Sequence, residues 1–185
     1  MIEIREIDSQ DPGQVRRFVN FPFQLYRDCP QWVPPMAGDA RLQLDRRRNP
    51  FYRHSDAAFF LASRHGRCVG RIAVLDHRGR TLASPASSST AENLERQRGS
   101  SARDAFFYIF DCLNDLEAAQ GLFETAAAWA RRRGLAFIVG PVGFATGDPL
   151  GLLVEGFEHR AAMGIIYNHD YYYVDNKHVN YDDHD

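Results

Sequence analysis

The chain has no apolar run approaching the length of a membrane span, and its start, "MIEIREIDSQ", lacks the apolar core of a signal peptide. It has only three cysteines, Cys29, Cys68 and Cys112, an odd number with no C-x-x-C pair. That argues against a disulfide scaffold and for a reducing, cytoplasmic setting. The net charge of −2 gives no reason to expect nucleic acid as a partner. No G-K-[ST] follows a glycine-rich turn, so there is no P-loop, and no Ser-His-Asp or Cys-His order stands out. Basic residues cluster only as Arg46–Arg48 and Arg131–Arg133, where helices could end, which suits macrodipole compensation.

The 185 residues, 44% of them apolar, suffice for one domain with a sizeable core. "IEIREI" alternates like a first strand. "DPGQVRRFVNF" follows with Asp11 as a cap, Pro12 at the first helical position and Val15, Phe18 and Val19 on one face. Pro22 predicts that this helix stops or kinks near Phe21. "CPQWVPPM" holds three prolines in six residues and predicts an irregular loop pinned by Trp32 and Val33. A short helix should then end before Pro50. "AAFFLAS" and "CVGRIAVLD" flank "RHGR" and predict an antiparallel hairpin. The Ser-, Ala- and Arg-rich stretch 79–103 predicts a mobile insertion. "DAFFYIF" is a buried strand, and a 3.6-residue period from Ala119 to Ala130 predicts a helix that ends in three arginines and Gly134. Its expected cap is Asn114, with Glu117 completing a capping box. "LAFIVGPV" is the next strand. The crossover makes these last two strands neighbours, parallel in a mixed α/β sheet.

Several constellations could carry chemistry. The turn at Asp111 and Asp115 lies at a strand end and could hold a general base for an amine, though helix capping with a dipole-compensating charge is the better reading. "LYRDCPQWVPP" offers Tyr26, Arg27 and Trp32 for a planar or anionic substrate, or simply a proline-stiffened lid. "GPVGFATGDPLG" packs four glycines and two prolines into twelve residues, bringing backbone near a ligand with Asp148 as its charged member, or forming a plain loop. Tyr167, Tyr171, Tyr172 and Tyr173 form a late aromatic cluster able to donate a proton or to pack. His169, His178 and His184 stand among aspartates, but their spacing matches no metal motif, and an acidic tail over 174–185 is the better reading.

This element order resembles the GNAT acetyltransferase superfamily, with a closer likeness to one bacterial branch of GNAT-like proteins. "FPFQLYRDCPQWVPPM", "NPFYRHSDAAFFLASRHGRCVGRIAVLDH", "AAAWARRRG", "GPVGFATGDPLGLLVEGF" and "YNHDYYY" carry it, over residues 15 to 173 apart from 79–103. The resemblance implies a single domain with a GNAT-like central sheet flanked by helices; as a departure from that pattern, the last hairpin is expected to be shortened or missing. It also implies an acyl-CoA site where two parallel strands splay. The strand backbone at Phe107, Tyr108 and Ile109 would then hold the pantetheine, and Tyr171 would protonate the leaving thiolate. A small-molecule or peptide amine would be the acceptor, with Asp111 assisting its deprotonation. The expected glycine-rich pyrophosphate loop is absent. "FDCLNDLEAAQGLF" carries Asp111, Asp115 and Glu117 instead, expected to crowd the helix N-terminus and repel phosphate. That departure keeps a second reading open, a catalytically silent ligand- or partner-binding module. The unfinished sheet edge implies a homodimer.

Overall fold

The computed structural model describes residues 1–78 and 103–172. The stretch expected to be an insertion and the acidic tail, with His178 and His184, lie outside the described residues, apart from Arg103. Five strands form one sheet in chain order: β1 (Ile2–Glu6), β2 (Asp56–Arg64), β3 (Arg67–Asp76), β4 (Ala105–Cys112) and β5 (Ile138–Val139). The first four pair antiparallel, and β4 pairs parallel to β5. Helices α1 (Pro12–Leu25) and α2 (Ala37–Leu44) precede the hairpin, and α3 (Leu116–Arg132) is the crossover.

Strands β2 and β3 are buried on both faces, and their two-residue alternation sorts the side chains into two cores. Ala58, Phe60, Ala62, Ile72 and Val74 pack with Leu122, Ala126 and Trp129 of α3. Ala57, Phe59, Leu61, Ala73 and Leu75 pack with Phe18 and Val19 of α1 and Leu44 of α2. The sheet is the middle of three layers. The hairpin turn places His65 at φ 51° and Gly66 at φ 77°, the paired positive dihedrals of a two-residue turn that matches strand twist.

Three local expectations are corrected. First, α1 runs unbroken through Pro22, with Asp11 capping the Gly13 and Gln14 amides. Proline leaves the carbonyl four residues back without its helical donor. Here that carbonyl, on Phe18, accepts a hydrogen bond from Nη1 of Arg71 in β3 at 2.8 Å. Second, the cap of α3 is Asp115, not Asn114: its carboxylate accepts the Ala118 amide at 3.1 Å. Arg64 at the end of β2 fixes the choice, because it binds Asp115 (3.0 and 3.1 Å) and Glu117 (2.7 Å) together. The strand expected over "LAFIVGPV" is also shorter, two residues rather than eight.

Candidate active site

Strand β5 accompanies β4 only at Ala105 and Phe106. Beyond Val139 the chain turns away through Gly140 and Pro141, and Val142 donates its amide to the Phe107 carbonyl at 2.9 Å. Gly140 lies so close to β4 that a Cβ there would sit 2.5 Å from the Phe107 oxygen. From Tyr108 onward that edge of β4 has no strand beside it among the described residues. The gap opens into a cleft of about 310 Å³ between α1, α2, β4 and the loop 141–168. Its walls are mainly apolar, with Phe18, Val19, Leu44, Val33 and Ile165 among them.

A bulge decides what faces this cleft. Asp111 pairs with Arg71 but Tyr108 with Ala73, so β4 carries one residue more than β3 across that interval. Ile109 takes φ 50°, a conformation rarely adopted by a β-branched residue. The extra residue resets the alternation. Phe106 and Tyr108 face the α1 side, and after the bulge so do Ile109 and Asp111, while Phe110 and Cys112 turn to the α3 side. Plain alternation from Phe106 would have sent Asp111 to the α3 side.

At the cleft floor Asp111 is buried, 8% exposed, and both its oxygens are engaged. Oδ2 accepts Nε of Arg71 at 2.7 Å and Nη2 at 2.6 Å, and Oδ1 accepts the Tyr26 hydroxyl at 3.0 Å. Arg71 is equally buried, and its third nitrogen is the one that holds the Phe18 carbonyl. The pair is thus neutral, hydrogen-bonded throughout and anchored to α1. Burial, then the Asp111 charge, pushes the Tyr26 phenol far above its usual pKa, so it stays a proton donor.

Tyr26 is the second ring of a stack of four. Trp32 lies on one side at 5.1 Å and His169 on the other at 4.9 Å, and Tyr171 stacks beyond His169 at 5.1 Å. This ladder ties the loop after α1 to the last described turn. There the hydroxyls of Tyr171 and Tyr172 donate to the Cys112 carbonyl at 2.7 and 3.0 Å. Asn168, 2% exposed, bonds Leu153 like a third strand: its Oδ1 accepts the Leu153 amide at 2.8 Å and its Nδ2 donates to the Leu153 carbonyl at 3.1 Å.

The remaining anticipated residues separate. Trp32, Tyr108, Ile109 and Asp148 line the cleft. The Phe107 carbonyl already accepts the Val142 amide, so that acceptor is not open to a ligand. Arg27 is exposed and outside the cleft lining. The three carboxylates expected to crowd the α3 N-terminus do not gather: Asp111 points into the cleft, and Asp115 and Glu117 are bound by Arg64. Cys112 is buried, and burial first, then Asp115 and Asp111, pushes its thiol up to about 12. Arg71 and Asn168 were missed by reading the sequence. A lone arginine inside "CVGRIAVLD" was the available signal, since a charge amid a two-sided apolar strand demands a buried partner. Among the described residues no group of His, Cys, Asp and Glu could hold a metal ion, and no helix is long and apolar enough to cross a membrane.

No family model matches the chain. The chain is similar to a bacterial ceramide synthase of Caulobacter vibrioides, 30% identical over 84% of this chain and 37% of the relative. It is also similar to protein YghO of Escherichia coli K12, 29% identical over 79% of this chain and 33% of the relative. The chain therefore spans about a third of the length of the curated relatives it matches. Among solved structures it is similar to a tandem GNAT protein from the clavulanic acid biosynthesis pathway. That match has a TM-score of 0.50 at 14% identity and covers 73% of this chain and 34% of the other. Five strands in chain order, the α3 crossover, the splayed parallel pair and this likeness agree: the chain has the GNAT fold.

Proposed function

We propose that the chain is an N-acyltransferase unit that moves an acyl group from an acyl-CoA or carrier thioester to the nitrogen of an amine. The observation that carries this reading is the splay of β4 from β5 beside the bulge at Ile109, opening into a largely apolar cleft. A thioester laid along β4 would run along the edge beyond Phe107 that no described strand covers, and fixed backbone donors on such an edge stabilise a developing oxyanion. The amine nitrogen forms a bond to the carbonyl carbon and gives up a proton to water, the carbon–sulfur bond breaks, and the thiolate leaves with the electron pair and takes up a proton. Tyr171 supplies that proton once its hydroxyl releases the Cys112 carbonyl. Asp111 acts as a positioning residue in this scheme, because its oxygens already hold Tyr26 and Arg71.

The apolar walls favour an acceptor with a hydrocarbon chain. The likeness to a ceramide synthase supports the same class, since ceramide is an N-acylated long-chain amine. The donor's diphosphate would not sit at the α3 N-terminus, where Asp115 and its Arg64 clamp occupy the position an anion would take. That closed terminus also favours a second reading, a catalytically silent GNAT-fold module.

The test is incubation of the chain with acetyl-CoA or palmitoyl-CoA and a long-chain primary amine, reading amide by mass spectrometry and free thiol colorimetrically. Amide with matching thiol supports the transferase. No calorimetric binding of either thioester by a folded chain leaves the silent module as the reading.

A further inference from the structure

We propose that Asp148 is the acceptor-recognition residue of the cleft, the carboxylate that binds the substrate's ammonium group. This rests on the amine-acceptor reading above and narrows it to one side chain. An alkyl amine is cationic at neutral pH, so an apolar cleft needs an anion to draw it in, and the bound ammonium then gives up a proton to water before attack.

Three carboxylates line the cleft: Asp39, Asp111 and Asp148. Asp111 is spent, since Tyr26 and Arg71 occupy both oxygens and Arg71 cancels its charge. Asp39 lies exposed in the first turn of α2, where water screens it. Asp148 is half-buried and has no ion pair among the described residues. Its Oδ2 accepts the Ala145 amide at 3.0 Å, and its own amide donates to the Ala145 carbonyl at 3.1 Å. Oδ1 has no hydrogen-bond partner among the described residues.

The site is built by backbone. Gly143 approaches so closely that a Cβ there would meet the Asp148 Cβ at 2.2 Å, so only glycine permits this seat for the carboxylate. The turn is held in turn by the Gly151 amide on the Pro141 carbonyl, 3.3 Å, just past the point where β5 leaves β4. With Arg71 and Asp111 neutral as a pair, Asp148 leaves the interior of the cleft negative. Low-dielectric walls strengthen its attraction for a cation.

The experiment is calorimetric titration of the full chain with octylamine and with octanol, which share a tail and differ in charge. The wild-type chain is expected to prefer the amine by about tenfold or more, as a charge-assisted hydrogen bond implies. Asp148→Asn keeps the Ala145 contact and should abolish that preference while leaving octanol binding unchanged, and Asp39→Asn should keep it. Asp148→Ser, a smaller cap acceptor, is the second variant should the first fail to fold. Retained preference for the amine in folded Asp148 variants overturns the assignment but leaves the acyltransferase reading standing. A wild-type chain that binds neither compound, or both equally, overturns the assignment and the alkyl-amine acceptor together.

Discussion

Replacing Arg71 by Met tests the buried pair most directly. Methionine fills much of the aliphatic volume but removes all three hydrogen bonds, two to Asp111 and one to the Phe18 carbonyl. Asp111 would remain in a site where it is only 8% exposed, with Tyr26 as its single partner. Breaking a buried pair from one side costs about 3–5 kcal/mol, because the other charge stays desolvated. With a urea m-value of about 2 kcal/mol/M, the unfolding midpoint should fall by roughly 2 M. Adding Asp111→Asn removes the stranded charge and keeps an acceptor for Tyr26. The double variant should therefore recover part of the loss, leaving about 1–3 kcal/mol for the orphaned Phe18 carbonyl. Urea denaturation followed by tryptophan fluorescence measures each step. A single-variant cost below about 1 kcal/mol, or a double variant no more stable than the single, would refute the view that desolvated charge dominates this site.

Three further outcomes follow from the same geometry. Asp115→Ala removes the α3 cap and should cost about 1 kcal/mol in a thermal melt, whereas Asn114→Ala should be nearly neutral. Gly140→Ala drives a methyl into the Phe107 carbonyl and ring, so overpacking should cost roughly 1–3 kcal/mol in chemical denaturation and loosen the β4–β5 junction. Cys112, its thiol raised by burial from 9.0 to about 12, should resist iodoacetamide at pH 8 in the native chain and react in urea, as read by peptide mass spectrometry. Its linkage has one sign. The folded thiol stays neutral while the unfolded one ionises, so stability is full below pH 9 and declines from there towards pH 12, and Cys112→Ala should flatten that alkaline decline.

Much of the fold was legible because its signals are local. The two-sided apolar runs of β2 and β3, the Asp11–Pro12 helix start, the His65–Gly66 turn and the amphipathic α3 each declare themselves within a few residues. The expectation of a GNAT-like fold rested on their order, and the sheet has that fold. Within the cleft, Trp32, Tyr108, Asp111 and Asp148 were all singled out in advance, but their relationships were not.

Those relationships depend on pairings between residues far apart in the chain. Nothing local shows that Pro22 frees the Phe18 carbonyl for an arginine 53 positions away, or that Arg64 moves the α3 cap from Asn114 to Asp115. The bulge at Ile109 is the clearest case. The sequence by itself determined that "DAFFYIF" is an apolar strand with an aspartate directly after it. Only pairing with β3 decided that the strand holds one extra residue and so turns Asp111 towards the cleft and Cys112 towards the α3 core. The physical reason is the two-residue period of a strand: one inserted residue reverses every side chain after it, and register is set by the neighbouring strand rather than by the residues themselves.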